Sequence, residues 1–191
     1  QIVGNIYKAK VANVERSLQA AFVEFGGKRH GFLHMSDLSP RWYGGAKGQG
    51  KDRRSEQTQI QDVLQKGHEL MVQVSKAGIR NKAPSVTTYV SLPGRYLVLM
   101  PQVSSRRGVS RKILDDNERV RLRDALSEMD EPSEHGVIAR TAAEGRTKRE
   151  LQRDLAYLER LYETIEKRFH DSPGPAMLYE ESDLVIRAVR D

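Results

Sequence analysis

Two phenylalanines in the stretch "LQAAFVEFGGKRHGFLHMSDL", residues 18–38, occupy positions that a small β-protein would ordinarily fill with polar side chains. A strand over 18–25 puts Ala21, Val23 and Phe25 on one face and Ala20, Phe22 and Glu24 on the other. Beyond the Gly26–Gly27 turn, Leu33 and Met35 share one face while His30, Phe32 and His34 share the opposite one. Phe22 and Phe32 therefore point away from the expected core. An outward ring is a stacking surface for a flat π system such as a nucleobase; the alternative for each ring is cover by another segment of the chain. A second set joins "GRYLV" to "ART". A phosphate monoester is held by a planar multi-donor cation, a hydroxyl and backbone N–H groups that a glycine lets come close. Arg140 and Thr141, adjacent at a strand end, supply the first two, although taken alone Arg140 reads as the arginine of a structural salt bridge. Arg106, Arg107, Arg111 and Lys112 form a basic loop, open to a polyanion or simply to water. His30 and His34 cannot share a metal ion, because four residues along a strand span about 13 Å. The nearest thing to a carboxylate cluster is Asp115–Asp116 at an expected helix start. No catalytic residue and no metal ligand is assigned.

The chain has 191 residues, 38% of them hydrophobic, with a mean hydropathy of −0.64 and no cysteine. Disulfides and thiolate metal sites are thereby excluded, and the composition suits a reducing cytoplasm. No apolar run reaches the roughly 18 residues that a membrane span needs. Residues 1–92 carry 14 Lys and Arg against 7 Asp and Glu, and residues 93–113 add 5 basic residues and no acid. From 114 onward 13 basic residues face 19 acidic ones. Positive charge gathered at one end of a chain is the pattern of a surface that follows a polyanion, with nucleic acid the leading partner.

Elements that could position these residues follow two patterns that change near Leu92. Before it, "GNIYKAKVANV", "LQAAFVEFG", "RHGFLHM", "ELMVQVSK" and "SVTTYVSL" read as five short strands. Residues 39–59 read as a mobile loop and "IQDVLQKG" as a short helical turn between the third and fourth strands, which is the oligonucleotide-binding (OB) barrel plan. After it, "LPGRYLVLMP" reads as one buried strand. Leu122, Ala125, Leu126 and Met129 read as a helix behind a cap at Asp115 or Asp116, and "GVIARTAA" as a strand. A longer helix capped by Thr147 and Glu150 carries the apolar stripe Leu151, Leu155, Leu158, Tyr162, Ile165 and Phe169. "AMLYE" reads as a further strand and "SDLVIRAVRD" as an amphipathic segment. The fold class is α+β: a five-stranded OB barrel over 1–90, then a small mixed α/β domain over 91–191. The abrupt start and end suggest a piece of a longer protein.

Taken in order, "IVGNIYKAKV", "QAAFVEFG", "HGFLHMSDL", "LMVQVSKAGIRNKAPSVTTYVSLPGRYLVLMP", "GVSRKI", "RTAAEG" and "LQRDLAYL" resemble the bacterial endoribonucleases E and G over nearly the whole chain; only 39–59 is unlike. "RTAAEG" and "LPGRYLV" favour the G branch. The resemblance implies an RNA-binding OB domain of the ribosomal protein S-one type, followed by the domain that senses an RNA 5′ monophosphate and continues past the end of this chain. It implies that Phe22, Phe32 and Lys82, with Lys76 beside them, contact single-stranded RNA. It also implies that Arg140, Thr141 and the backbone N–H of Val98 hold the 5′ phosphate, with Gly94 beside the terminal nucleotide. Metal-dependent cleavage by an aspartate pair, a cysteine pair that binds zinc at an oligomer interface, and one further pocket arginine belong to later parts of the family's catalytic region. This segment is thus expected to carry no Mg²⁺ or Zn²⁺ site, to bind RNA without cutting it, and to form a homo-oligomer only in the full-length protein. The competing expectation is a stand-alone, non-enzymatic RNA-binding or ribosome-associated OB module.

Overall fold

The computed structural model describes residues 3–47, 58–101, 107–129 and 135–181. They fall into two compact units, 1–90 with 167–191, and 91–166.

The first unit is built on β1 (Ile6–Glu15), β2 (Ala20–Glu24), β3 (Gly31–His34), β4 (Glu69–Lys76) and β5 (Ser85–Thr87). They pair in the order β1-β2-β3-β5-β4, and β4 returns to β1, so the five strands close into a barrel. Every pairing is antiparallel except β3 with β5. Between β3 and β4 lies one turn of helix, α1 (Ile60–Val63). This is the expected OB arrangement. The interior is filled by small and branched side chains, among them Ala9, Val11, Ala21, Val23, Leu33, Val72, Val74 and Val86, none more than 1% exposed. Gly31, the first residue of β3, packs close to β5: a Cβ there would lie 2.9 Å from Val86 Cγ1.

Two features of this unit differ from the sequence reading. The first part of the supposed mobile loop is folded: Pro40–Trp42 and Gly45–Lys47 are 3₁₀ turns, and Trp42 is buried edge-on to the Phe169 ring with centroids 5.3 Å apart. Residues 48–57 of that segment lie outside the described residues. The late strand "AMLY", β10 (Ala176–Tyr179), pairs antiparallel with the first residues of β1, with Tyr7 opposite Met177. Lys8, also on β1, is buried; its Nζ donates to the carbonyls of Phe169 (2.7 Å) and Ser172 (2.9 Å) and pairs with Glu69 at 3.1 Å. A cation there satisfies carbonyls that the end of a helix leaves without partners.

In the second unit, β6 (Leu92–Pro93), β7 (Leu97–Met100), β9 (Gly136–Ala139) and β8 (Arg107–Val109) form a sheet in that spatial order, with β8 parallel to β9. α2 (Asp116–Ser127) is capped by Asp115, whose carboxylate accepts the N–H groups of Asn117 and Glu118. α3 (Lys148–Asp171) starts at Thr147, whose hydroxyl accepts the Glu150 N–H, and all six residues of the expected stripe are buried. The boundary between the two units falls within α3. Among the described residues, no helix is long and apolar enough to cross a membrane.

Trp42 is the single tryptophan, so its fluorescence reports the packing of residues 40–47. Emission is expected to be blue-shifted in the native chain, and Phe169→Ala is expected to shift it to the red and to destabilise by about 3–5 kcal/mol in a denaturant titration. A solvent-like native spectrum would contradict the packed arrangement.

Candidate nucleic-acid interface

On the barrel, Phe22 and Phe32 face each other across β2 and β3, with ring centroids 5.7 Å apart and planes at 68°. Directly opposed residues share a face of the sheet. Phe32 opposes Ser85 on β5 and Ser85 opposes Lys76 on β4, so Phe22, Phe32, Ser85 and Lys76 form one row across four strands. A register shift between Val74 and Lys76 brings the lysine into that row. Both rings are half-buried and Lys76 is exposed. Lys82 is exposed in the loop between β4 and β5, where its carbonyl accepts Arg29 Nη1 at 3.0 Å. Of the four residues picked out on the barrel, three therefore stand in the row and the fourth in the adjoining loop. Ser85 and Arg29 were missed: neither has an outward pattern of its own, and Ser85 is brought in by the register between β3, β4 and β5, Arg29 by its hydrogen bond to the Lys82 carbonyl. His34 is exposed at the end of β3 and its Nδ1 accepts the Ser36 N–H at 3.1 Å, a local cap with no metal partner implied.

The second candidate site is built around a turn. "LPGRYLVLMP" is not one strand: it folds back between β6 and β7, with Gly94 N–H donating to the Leu97 carbonyl at 2.7 Å. Pro93–Gly94 is the turn signal in the sequence. The turn's other amides, those of Arg95 (3.1 Å), Tyr96 (2.9 Å) and Leu97 (2.9 Å), all donate to the carboxylate of Asp154 on α3, which is 7% exposed. Gly94 lies against that carboxylate, since a Cβ on it would be 2.5 Å from Asp154 Oδ2. On the opposite side, Arg140 donates its N–H to the Tyr96 carbonyl (2.8 Å) and its Nη1 to the Gly94 carbonyl (2.5 Å). Val98 follows on β7 opposite Ile138, and Thr141 is exposed at the start of a 3₁₀ turn. Gly94 and Arg140 are in direct contact, with Val98 and Thr141 their near neighbours along the chain. The Arg95 and Arg146 guanidinium groups stand 5.6 and 5.2 Å from the centre of the Tyr96 ring.

The remaining basic residues are distributed differently from the expected loop. Arg107 lies in β8, Arg111 and Lys112 are exposed just after it, and Arg106 lies outside the described residues. The chain was read as loop there because "RGV" is too short to show a period; pairing with β9 makes it a strand. Glu118, at the start of α2, accepts from the Arg121 guanidinium and from Gly145 N–H at 2.9 Å, while Arg121 Nη1 donates to the Arg146 carbonyl at 2.8 Å. This clamp fixes the segment that follows Thr141. The Arg121 hydrogen bond, then that of Gly145, holds the Glu118 carboxyl well below the usual carboxylate range, down to about 2. Among the described residues, no group of three or more His, Asp or Glu side chains is placed to hold a metal ion.

The model of the ribonuclease E/G family matches residues 91–191. The chain belongs to that family. The S1 RNA binding domain model matches residues 1–87, the part that closes into the barrel. Ribonuclease E of Haemophilus influenzae is 43% identical over 188 residues, covering 98% of this chain and 19% of the relative. Ribonuclease E of Escherichia coli K12 is 40% identical over 187 residues, 98% of this chain and 17% of the relative. Ribonuclease G of Escherichia coli K12 is 39% identical over 191 residues, 100% of this chain and 38% of the relative. The chain thus spans about a fifth of the ribonuclease E relatives and about two fifths of the ribonuclease G relative. These identities do not favour the G branch of the family.

Glu118 has a folded-state pKa below its unfolded value of about 4.3, so its contribution to stability is complete above that pH and is lost as the pH falls towards 2. Glu118→Gln is expected to flatten the dependence of unfolding free energy on pH between about 4.5 and 2, modestly because the pair is open to solvent. Identical pH profiles for the two proteins would contradict the clamp.

Proposed function

We propose that this chain is the RNA-binding and 5′-monophosphate-sensing portion of a cytoplasmic, single-strand-specific endoribonuclease of RNA processing and decay, and that these residues alone bind RNA without cutting it. The observation that carries the reading is the cross-strand row of Phe22, Phe32, Ser85 and Lys76. Two neighbouring rings, set at 68° to each other, offer π faces to bases, each stack contributing about 1–3 kcal/mol, and lysines beyond them meet the phosphates. Lys82, in the adjoining loop, extends the cationic end of that track.

At the second site, a 5′ phosphate takes charge-assisted hydrogen bonds from the Arg140 fork, the Thr141 hydroxyl and the Val98 N–H, with the terminal nucleotide against Gly94. A 5′ hydroxyl offers those donors no anion. Three carboxylates of this unit have structural partners: Asp154 holds the turn, Asp115 caps α2 and Glu118 holds Arg121. On this reading the Mg²⁺-dependent chemistry, the zinc site and oligomerisation belong to the parts of the relatives that lie outside these residues.

Three measurements test the reading on the 191-residue chain. Affinity for a short single-stranded RNA is expected to fall with salt at a log–log slope near −0.7 per phosphate contacted. The double variant Phe22→Ala/Phe32→Ala is expected to lose about 2–6 kcal/mol of binding; an unchanged dissociation constant would remove the stacking platform. In paired titrations, 5′-monophosphorylated RNA is expected to bind a few-fold to tenfold, about 1 kcal/mol, more tightly than 5′-hydroxyl RNA, and Arg140→Lys to lose most of that preference because an ammonium has no planar fork. Specific cleavage products in Mg²⁺ from rigorously purified chain would contradict the non-catalytic part of the proposal.

A further inference from the structure

We infer that Asp154 is a positioning residue for the 5′-phosphate pocket: through the Gly94–Leu97 turn, its carboxylate sets the direction of the Arg140 guanidinium. This inference rests on the phosphate reading above and adds to it a residue that touches no substrate.

Three of the turn's amides and two of its carbonyls are held by two different residues, Asp154 and Arg140. On the amide side, Gly94 N–H closes the turn on Leu97, and the next three N–H groups converge on Asp154. On the carbonyl side, Arg140 takes Gly94 with its guanidinium and Tyr96 with its backbone N–H. The turn is therefore a short stack of peptide dipoles held between an anion at its amide side and a cation at its carbonyl side. Such chains of hydrogen bonds strengthen one another where water is excluded. Asp154 is buried and stands between Leu151, Leu155 and Leu158 on the core side of α3, so its anchor is a rigid helix and not a loop.

An aspartate facing a core is costly unless hydrogen bonds compensate, and three backbone donors do so here. Neutralising it leaves amides without an anionic acceptor. An asparagine at 154 has a single acceptor oxygen and turns an NH₂ towards donors, so the turn must shift and the Gly94 carbonyl shifts with it. Arg140 then loses the acceptor that aims its fork, while the barrel row is untouched. The predicted phenotype is loss of 5′-end discrimination with general RNA affinity preserved. A merely structural Asp154 would lower stability and leave the ratio of the two affinities alone.

The test is a set of anisotropy titrations at fixed salt, with 5′-monophosphate and 5′-hydroxyl forms of one short RNA, against wild type, Asp154→Asn, Arg140→Lys and the double variant. Asp154→Asn is expected to bring the affinity ratio to within about twofold of one, and the double variant to lose no more than Arg140→Lys alone, the non-additivity of two residues acting through one element. A preference kept by folded Asp154→Asn would overturn the inference while leaving the phosphate reading standing. No preference in wild type would overturn the phosphate reading and the inference with it. Should Asp154→Asn fail to fold, amide hydrogen exchange in wild type decides: by linkage, a 5′ phosphate that needs the clamp must also tighten it. Slower exchange at Arg95, Tyr96 and Leu97 with the 5′-monophosphate RNA, and not with the 5′-hydroxyl RNA, is the expected result. Equal exchange with both would overturn the inference.

Discussion

Closure of five strands onto β1 is the constraint on which the rest of the barrel depends. β1 is antiparallel to both β2 and β4, so the sheet has no gap and its interior is a small space already filled by alanine, valine and leucine. Side chains of opposite parity must lie outside. Phe22 and Phe32 have that parity, and direct pairing of their residues across β2 and β3 sets the two rings against each other, edge to face. The single parallel pairing, β3 with β5, then puts Ser85 beside Phe32, and the shifted register of β4 adds Lys76. Aromatic, hydroxyl and cation follow one another on the outer face because the barrel closes in this register, with no loop needed to arrange them.

The second unit meets a different constraint, that of a tight turn whose amides would otherwise be buried without partners. One carboxylate on a helix answers it, and the same turn presents its carbonyls to Arg140. Cation, glycine and strand N–H are thus held by helix, turn and sheet together, the kind of support a phosphate site needs if it is to distinguish one end group from another. Family membership follows this division in part: the S1 match covers the barrel, and the ribonuclease E/G match covers the second unit together with residues 167–191, which group with the first.

Much of this was legible in the residues. Alternation alone placed Phe22 and Phe32 on the outside, because a one-residue slip would have sent both into a filled interior. The stripe from Leu151 to Phe169 and the caps at Asp115 and Thr147 were equally readable, since helical spacing and capping chemistry are local. What escaped was set by partners far along the chain. Nothing in the local sequence marks Asp154, whose carboxylate takes the amides of the distant Gly94 turn, while "LPGRYLVLMP" was read as one strand although Pro93–Gly94 signals the turn locally. Trp42 looked like part of a loop because its partner, Phe169, is more than a hundred positions away. β8 is a short segment whose strand character comes from β9, whereas β10 is readable as a strand and only its pairing with the distant β1 is not.

On the function proposed, one set of residues reads the RNA strand and another reads its 5′ end. The most direct measurement is a residue-resolved NMR titration of the 191-residue chain with a 5′-monophosphorylated tetranucleotide and with its 5′-hydroxyl twin. Both RNAs are expected to perturb the rings of Phe22 and Phe32 and the signals around Ser85 and Lys76, and only the monophosphate is expected to perturb Gly94, Val98, Arg140 and Thr141. Identical perturbation patterns for the two RNAs, or changes confined to residues outside both sets, would contradict that function.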